Sequence, residues 1–448
     1  MRVGCCAAAG APDSGVPAGA RGSVSCMALA SELELGFLDT MDASLRGQRF
    51  HAAMAELRAG GWLAQGPFGA FIVLDREAGE FFLRTRSAIF PGMKIAEIFG
   101  VNEGPLYEEM KHNILHINGP DHTRLRSLVN PALSPRAVER YRPVMKELLG
   151  RLLADVTADS SDDPGGFAQS DGRHRCEFVE AFAKPYPSLA IATVMGAPLE
   201  DAPRLHHWSN WIQRQFDAIS MASERKKIEQ ACAEFYDYAE DLVRSRRRKP
   251  ADDLISKLIE AEEEGERLSD VECINLVFNV LVGGVDTSQS QLAHTIRLLA
   301  EHPDQLALLA ADPSLAEAAV EEGLRYEPIT PFTARITTEE VTFRDVTFPE
   351  GTMVMVCAFT GNRDLDGDAA GEDADRFDIS ADRGRARPLT FGAGVHYCLG
   401  ANLARVELQE GLAFLSQRLR DLKLDGEPVY EGVSGIYGLA ELPISFTV

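Results

Sequence analysis

The chain has 448 residues, 45% hydrophobic and 25% charged, a globular composition long enough for two or three ordinary domains or one large one. Its 68 acidic residues against 45 basic ones leave a formal charge of -23, which argues against nucleic acid or an anionic membrane surface as the main partner. No run of about 18 apolar residues reads as a transmembrane span, and 8 scattered cysteines show neither metal-ligand nor disulfide-framework spacing, so a reducing cytoplasm is expected.

In chain order, residues 1–30 are small and rich in Gly, Ala and Pro, without the apolar core of a signal peptide. They read as a disordered extension, with Met27 as an alternative natural start. Residues 30–64 carry apolar side chains at helical spacing, and FIVLD and EFFLR about residues 76–79 read as a hairpin. Further on, Pro120 and Asp121 suit a helix start, which puts His122 and Arg126 four apart on one face, a pair able to hold an anion. Residues 159–175 read as a polar surface loop, and 178–198 and 205–248 as helices. Core packing is the default for Trp208, Trp211, Phe216 and Met221 in the second of these.

The next segment, residues 268–302, reads as one long helix. Ser269 and Glu272 form a capping box at its start and Pro303 follows its end. Near its middle stands GGVDTS. Gly283 and Gly284 each disfavour helix by roughly 1 kcal/mol relative to Ala, and Asp286 and Thr287 interrupt an apolar stretch. Broken local rules of this kind mark functional sites. Glu322 and Arg325, three apart, share a helical face. Alternation through Val341, Phe343, Val346 and Phe348 marks short strands, and the tail from 433 to 446 reads as a hairpin.

Between them lies LTFGAGVHYCLGANLAR, residues 389–405, which sets Cys398 among Phe391, Gly392, Gly394, His396 and Gly400. An amphipathic helix follows, and a cysteine just ahead of a helix start has its thiolate favoured by the helix dipole. This loop resembles the haem-ligand loop of the cytochrome P450 family. The resemblance implies a mainly α fold with small β-sheets: a single large P450-type domain over 31–448, with haem b between a long distal helix and a proximal cysteine loop.

By the same resemblance, Cys398 is the axial iron ligand, Phe391 and Gly392 shape the loop beside the sulfur, and His396, His122, Arg126 and Arg335 meet the haem propionates. GGVDTS matches the oxygen-activation sequence, with Thr287 holding a water beside the dioxygen site and Asp286 relaying protons. Gly283, Gly284, Ile329, Thr330 and Phe332 would face substrate, as would Ile436 and Tyr437 at the tip of the tail hairpin. Glu322, Arg325 and Arg376 would form a buried structural triad, and GNRD at 361–364 is a further match. Pro388 stands where bacterial members commonly have histidine.

The function implied is a monooxygenase that inserts one atom of O2 into an apolar small molecule, by hydroxylation or epoxidation, in secondary metabolism. Oxidative coupling or ring formation without oxygen insertion fits the same residues, and a haem-binding protein without turnover is the alternative of another class. The sequence contains no Gly-rich nucleotide loop and no cysteine cluster for iron and sulfur. NAD(P)H would therefore act only indirectly, through a ferredoxin and a ferredoxin reductase. Arg124, Arg126, Arg136, Arg140, Arg142, Arg383, Arg385, Arg387 and Arg405 are expected to ring the cysteine side and attract an acidic ferredoxin.

Overall fold

Helices with apolar residues at three- and four-residue spacing build the larger part of the molecule in the computed structural model, which describes residues 28–158, 172–263, 268–365, 374–384 and 387–448. Asp270–Gly283 and Asp286–Glu301 run through its centre. Against them pack Pro185–Met195, Ala202–Gln213, Arg225–Arg248 and Ala401–Ser416, and together with Arg142–Thr157 these helices enclose the largest apolar core.

Small sheets sit to one side. A five-stranded sheet has the order Leu63–Gln65, Phe71–Val73, Met353–Cys357, Phe332–Thr337, Ala88–Ile89, with Phe71–Val73 and Met353–Cys357 parallel and the other pairs antiparallel. This sheet carries Arg335 and Phe332 toward the centre. Val341–Phe343 and Val346–Phe348 pair as the alternation requires. The expected class, mainly helical with small sheets, is what the chain adopts.

Four expectations about elements need correcting. EFFLR is not a strand: Asp75 caps a helix over Arg76–Arg84 by accepting from the Ala78 amide, and Ala78, Gly79, Phe82 and Leu83 fall at helical spacing on its buried face. The extension does not reach residue 30, because Ala28–Leu29 pairs with Val346–Phe348 and Ala30 is buried. Residues 1–27 lie outside the described residues, as do 159–171 of the polar loop. The end of that loop is instead strand His174–Glu177, paired with Pro443–Thr447. The tail hairpin is formed by Val429–Tyr430 with Leu439–Glu441, so its strands begin earlier than the alternation implies.

The long central helix is interrupted, not continuous. Its two halves meet at Gly284 and Val285, whose φ/ψ of -94°/-4° and -96°/-76° depart from regular helix values while staying in the right-handed region. By length and composition Asp270–Glu301 is apolar enough to cross a membrane, yet about two thirds of its most apolar window is buried inside the protein, as for a core helix.

Candidate active site

The cysteine loop is held by its own backbone. Phe391 accepts from the Cys398 amide at 2.9 Å, closing a turn over the intervening residues. Gly392 and Gly394 have φ of 68° and 72°, where L side chains are strained. At Gly394 there is a second constraint, since a Cβ would lie 2.4 Å from the Leu83 carbonyl oxygen. GNRD supports the loop's start: Asn362 accepts from the Leu389 amide and donates to Thr390 Oγ1 at 3.0 Å. Arg405, one turn and a half into the following helix, lies 4.6 Å over the Phe391 ring and pairs with Glu321.

Cys398 lines a cavity of about 800 Å³. Burial pushes its thiol up from the ordinary value, against the opposing pull of the Gly400 and Ala401 amides and of Arg126 and Arg405. The sign expected from the helix dipole alone is thus reversed by desolvation.

Two arginines and two histidines gather at this cavity without carboxylates. Arg335 is 2% exposed, and its one recorded bond is to the Ala334 carbonyl, so desolvation pulls it down to about 10. Arg126 donates to the Tyr397 carbonyl at 2.8 Å. His122 and His396 lie with ring centres 4.2 Å apart, and burial lowers them to about 4 and about 3. Among the described residues neither arginine has a carboxylate partner. Uncompensated buried charge disfavours the folded state by several kcal/mol, so this cradle is built for a dianion that a flat, doubly carboxylated group would supply. A haem fits both the cradle and the sulfur.

Across the cavity the broken helix exposes its backbone. Thr287 donates to the Gly283 carbonyl at 2.8 Å, and Ser209 and Gln213 from the neighbouring helix donate to the Val282 carbonyl at 2.9 and 3.2 Å. The opened turn is therefore satisfied by side chains. Gly283 has nothing within 4 Å of a Cβ position, so any side chain there would only fill the cavity. Thr287 lines the cavity, and Asp286 is turned behind it at 4% exposure. One Asp286 oxygen accepts from Ser209 at 3.3 Å; the other accepts no hydrogen bond. Burial first, then Glu431, raise this carboxyl to about 7.

Ile329, Thr330, Phe332, Gly283, Gly284 and Ile436 all line the cavity. Tyr437 does not: its hydroxyl accepts from the Gly47 amide at 2.8 Å and its ring is buried in a core of Phe50, Phe359 and Ile72. Of the four aromatic and sulfur side chains assigned to packing, Phe216 alone reaches the cavity. Sequence reading also missed a patch of amides in the wall, Asn113, Gln213, Gln215 and Asn279, for which no local pattern exists. Behind it Glu109 is held by Asn113 at 2.6 Å and raised by burial to about 7.

The buried ion cluster has a different third member. Glu322 is bound by Arg325 at 2.7 Å and by Arg383 at 2.9 Å, while Arg376 contributes its carbonyl to both arginines. Proximity in sequence to the DRF run is overridden by the loop's path, which turns residue 383 inward. Several arginines of the expected ring have carboxylate partners: Arg124 pairs with Glu272, Arg140 with Asp252, Arg142 with Glu139 and Glu410, and Arg405 with Glu321. Arg136 and Arg387 have no carboxylate partner among the described residues, and Arg385 lies outside them.

Comparison with known proteins gives the same picture. The family model for cytochrome P450 matches residues 62–429. Luteothin monooxygenase of Streptomyces thioluteus is 32% identical over 417 residues, covering 92% of this chain and 96% of its own. Mycinamicin IV hydroxylase/epoxidase of Micromonospora griseorubida is 34% identical over 71% of this chain and 75% of its own. The crystal structure of CalO2 superposes with a TM-score of 0.81 at 30% identity, covering 92% of this chain and 99% of that one.

Proposed function

The chain belongs to the cytochrome P450 family, and from that premise we propose that it is a haem b-dependent monooxygenase that inserts one oxygen atom into a mainly apolar small molecule of secondary metabolism. The observation that carries the reading is the pair of carboxylate-free arginines, Arg335 and Arg126, with the uncharged His122 and His396, at a cysteine-bearing cavity of about 800 Å³. Hydroxylase, epoxidase and monooxygenase relatives favour oxygen insertion over coupling.

Haem bound here supplies the activation of O2, and a thiolate ligand favours O–O cleavage. The protein's part is to hold and to move protons. Cys398 would hold the metal as a thiolate, and because burial raises its thiol the proton would have to leave on binding. Arg335, Arg126 and the two histidines would hold the haem carboxylates, and Phe391 would shield the sulfur. Thr287, with its own proton committed to Gly283, keeps lone pairs free to hold a water at the cavity wall. Asp286, near 7, both accepts and releases protons at neutral pH. Substrate rests on Ile329, Thr330, Phe332 and Ile436, close to the space left by Gly283 and Gly284. Electrons come from NADH or NADPH through a separate ferredoxin and its reductase, in the cytoplasm.

The test is spectral and then chemical. The ferrous carbon monoxide adduct should show the red-shifted Soret band of thiolate ligation, and Cys398→Ser should abolish it together with all turnover. In labelled O2, product should gain one labelled atom; product formed with no label would replace insertion by coupling, and retention of the band in the serine variant would overturn the site.

A further inference from the structure

Asp286 does not itself line the cavity, though Thr287 beside it does, so its carboxyl can take protons from a side other than the cavity. That side is occupied by His206, on Ala202–Gln213. Its Nε2 lies 3.8 Å from Asp286 Oδ1, the carboxylate oxygen that accepts no hydrogen bond, and 2.9 Å from Gln289 Oε1. The His206 side chain is 20% exposed, the Asp286 side chain 6%. Neither His206, Gln289 nor Asp286 lines the cavity, whereas Thr287, next to Asp286, does. One imidazole thus spans the distance from solvent to the buried acid, held to one side by a glutamine on the acid's own helix.

We propose that His206 passes protons from solvent to Asp286, with Gln289 holding the ring in a resting position. The inference rests on the reading of Asp286 as proton donor to the cavity. A ring movement of about one ångström exchanges the Gln289 bond for one to Oδ1. The Nε2–H bond then breaks as the Oδ1–H bond forms, and Nδ1 takes a proton from water. No electron moves, and the net result is one proton transferred from solvent to the carboxyl, with the imidazole neutral before and after in alternate tautomers. His206 acts through Asp286 and is a positioning and proton-transfer residue, not one that touches substrate.

The electrostatics suit such an exchange. Burial is the largest influence on His206 and lowers it; Lys184 and His207 lower it further, and Gln289 and Glu180 oppose them. Asp286 stands at about 7, with Glu431 raising it and Ser209, Asn210 and Arg214 lowering it. Asp286 thus stands close to neutrality, while His206 is displaced downward, toward the uncharged imidazole that the exchange uses.

The experiment uses the ferric holoprotein and two variants, His206→Gln and Asp286→Asn. First, the His206 ring proton resonance, assigned by its loss in the glutamine variant, is titrated by NMR. As Asp286 loses its proton near 7, the ring resonance should show a second inflection that Asp286→Asn removes. A titration curve that Asp286→Asn leaves unchanged overturns the contact.

Second, NADH oxidation is measured with a surrogate ferredoxin and reductase in air-saturated buffer, in H2O and D2O across pH. His206→Gln should slow it roughly tenfold or more, enlarge the solvent isotope effect and flatten the pH profile, at a thermal midpoint close to wild type. A wild-type rate and isotope effect in His206→Gln, with Asp286→Asn slow, overturns the relay alone. A wild-type rate in Asp286→Asn removes the role of Asp286 and the relay with it.

Discussion

The two walls of the cavity are stabilised by opposite means. On the cysteine side every group is pinned: the loop closes on itself between Phe391 and Cys398, Gly394 presses on the Leu83 carbonyl, and Glu322 is clamped by two arginines. On the broken-helix side the helix is opened at Gly284 and Val285, its carbonyls are taken by Ser209, Gln213 and Thr287, and one Asp286 oxygen accepts no hydrogen bond. A metal ligand needs fixed geometry, and rigid backbone contacts give it. Proton delivery needs groups with two nearly equal states, and an interrupted helix with half-satisfied polar atoms gives that.

Breaking the pinned side should have the largest effect. Glu322→Ala leaves Arg325 and Arg383 buried without their carboxylate, a loss of about 3–5 kcal/mol, read as a fall in thermal midpoint and in the haem content of purified protein. Arg376→Ala keeps the carbonyl both arginines use and leaves Glu322 with both of them, so its loss should be the smaller. Equal losses in the two variants would restore Arg376 to the cluster.

On the opened side the effect is one of pH. The Asp286 carboxyl is raised from 3.8 to about 7 in the folded chain, so between these values the native state keeps a proton that the unfolded state gives up. Stability from this group therefore falls as pH rises through that window. Asp286→Asn should raise the thermal midpoint more at pH 8 than at pH 5 while slowing turnover about a hundredfold. An equal change at both pH values would mean the carboxyl is not held protonated by burial.

The smallest change concerns the wall between the two sides. Gln215, 2% exposed, has an amide oxygen that accepts no hydrogen bond. Gln215→Leu should tighten binding of a purely hydrocarbon ligand by about threefold to tenfold in a spin-state titration, and weaken a ligand with a hydrogen-bonding group by a similar factor. No change in that preference would show that the amide patch does not face ligand.

Much of the cysteine side was legible from residue order, because its parts are joined by short backbone spans. Phe391, Gly392, Gly394 and Cys398 are within eight positions of one another, and a turn needing φ > 0 can use little but glycine. The glycine pair before Asp286 was legible for the related reason that it violates helix propensity. What escaped were pairings set by long loops. Arg383 replaced Arg376 across a segment with no periodicity, Tyr437 turned into the core one residue beyond cavity-lining Ile436, and Arg76–Arg84 became a helix where two apolar runs and a turn read equally well as strands.

Composition and spacing by themselves determined the acidic character of the chain, the helical spacing of several segments, the glycines of its cysteine turn and the weak point of its central helix, since each depends on interactions within a few residues. Only the tertiary structure decided which arginines are already neutralised and which still lack a counter-charge, which face of Asp286 meets His206, and that the Cys398 thiol is raised instead of lowered. Those outcomes depend on desolvation and on the distance between charges from remote segments, and neither quantity exists until the chain has packed.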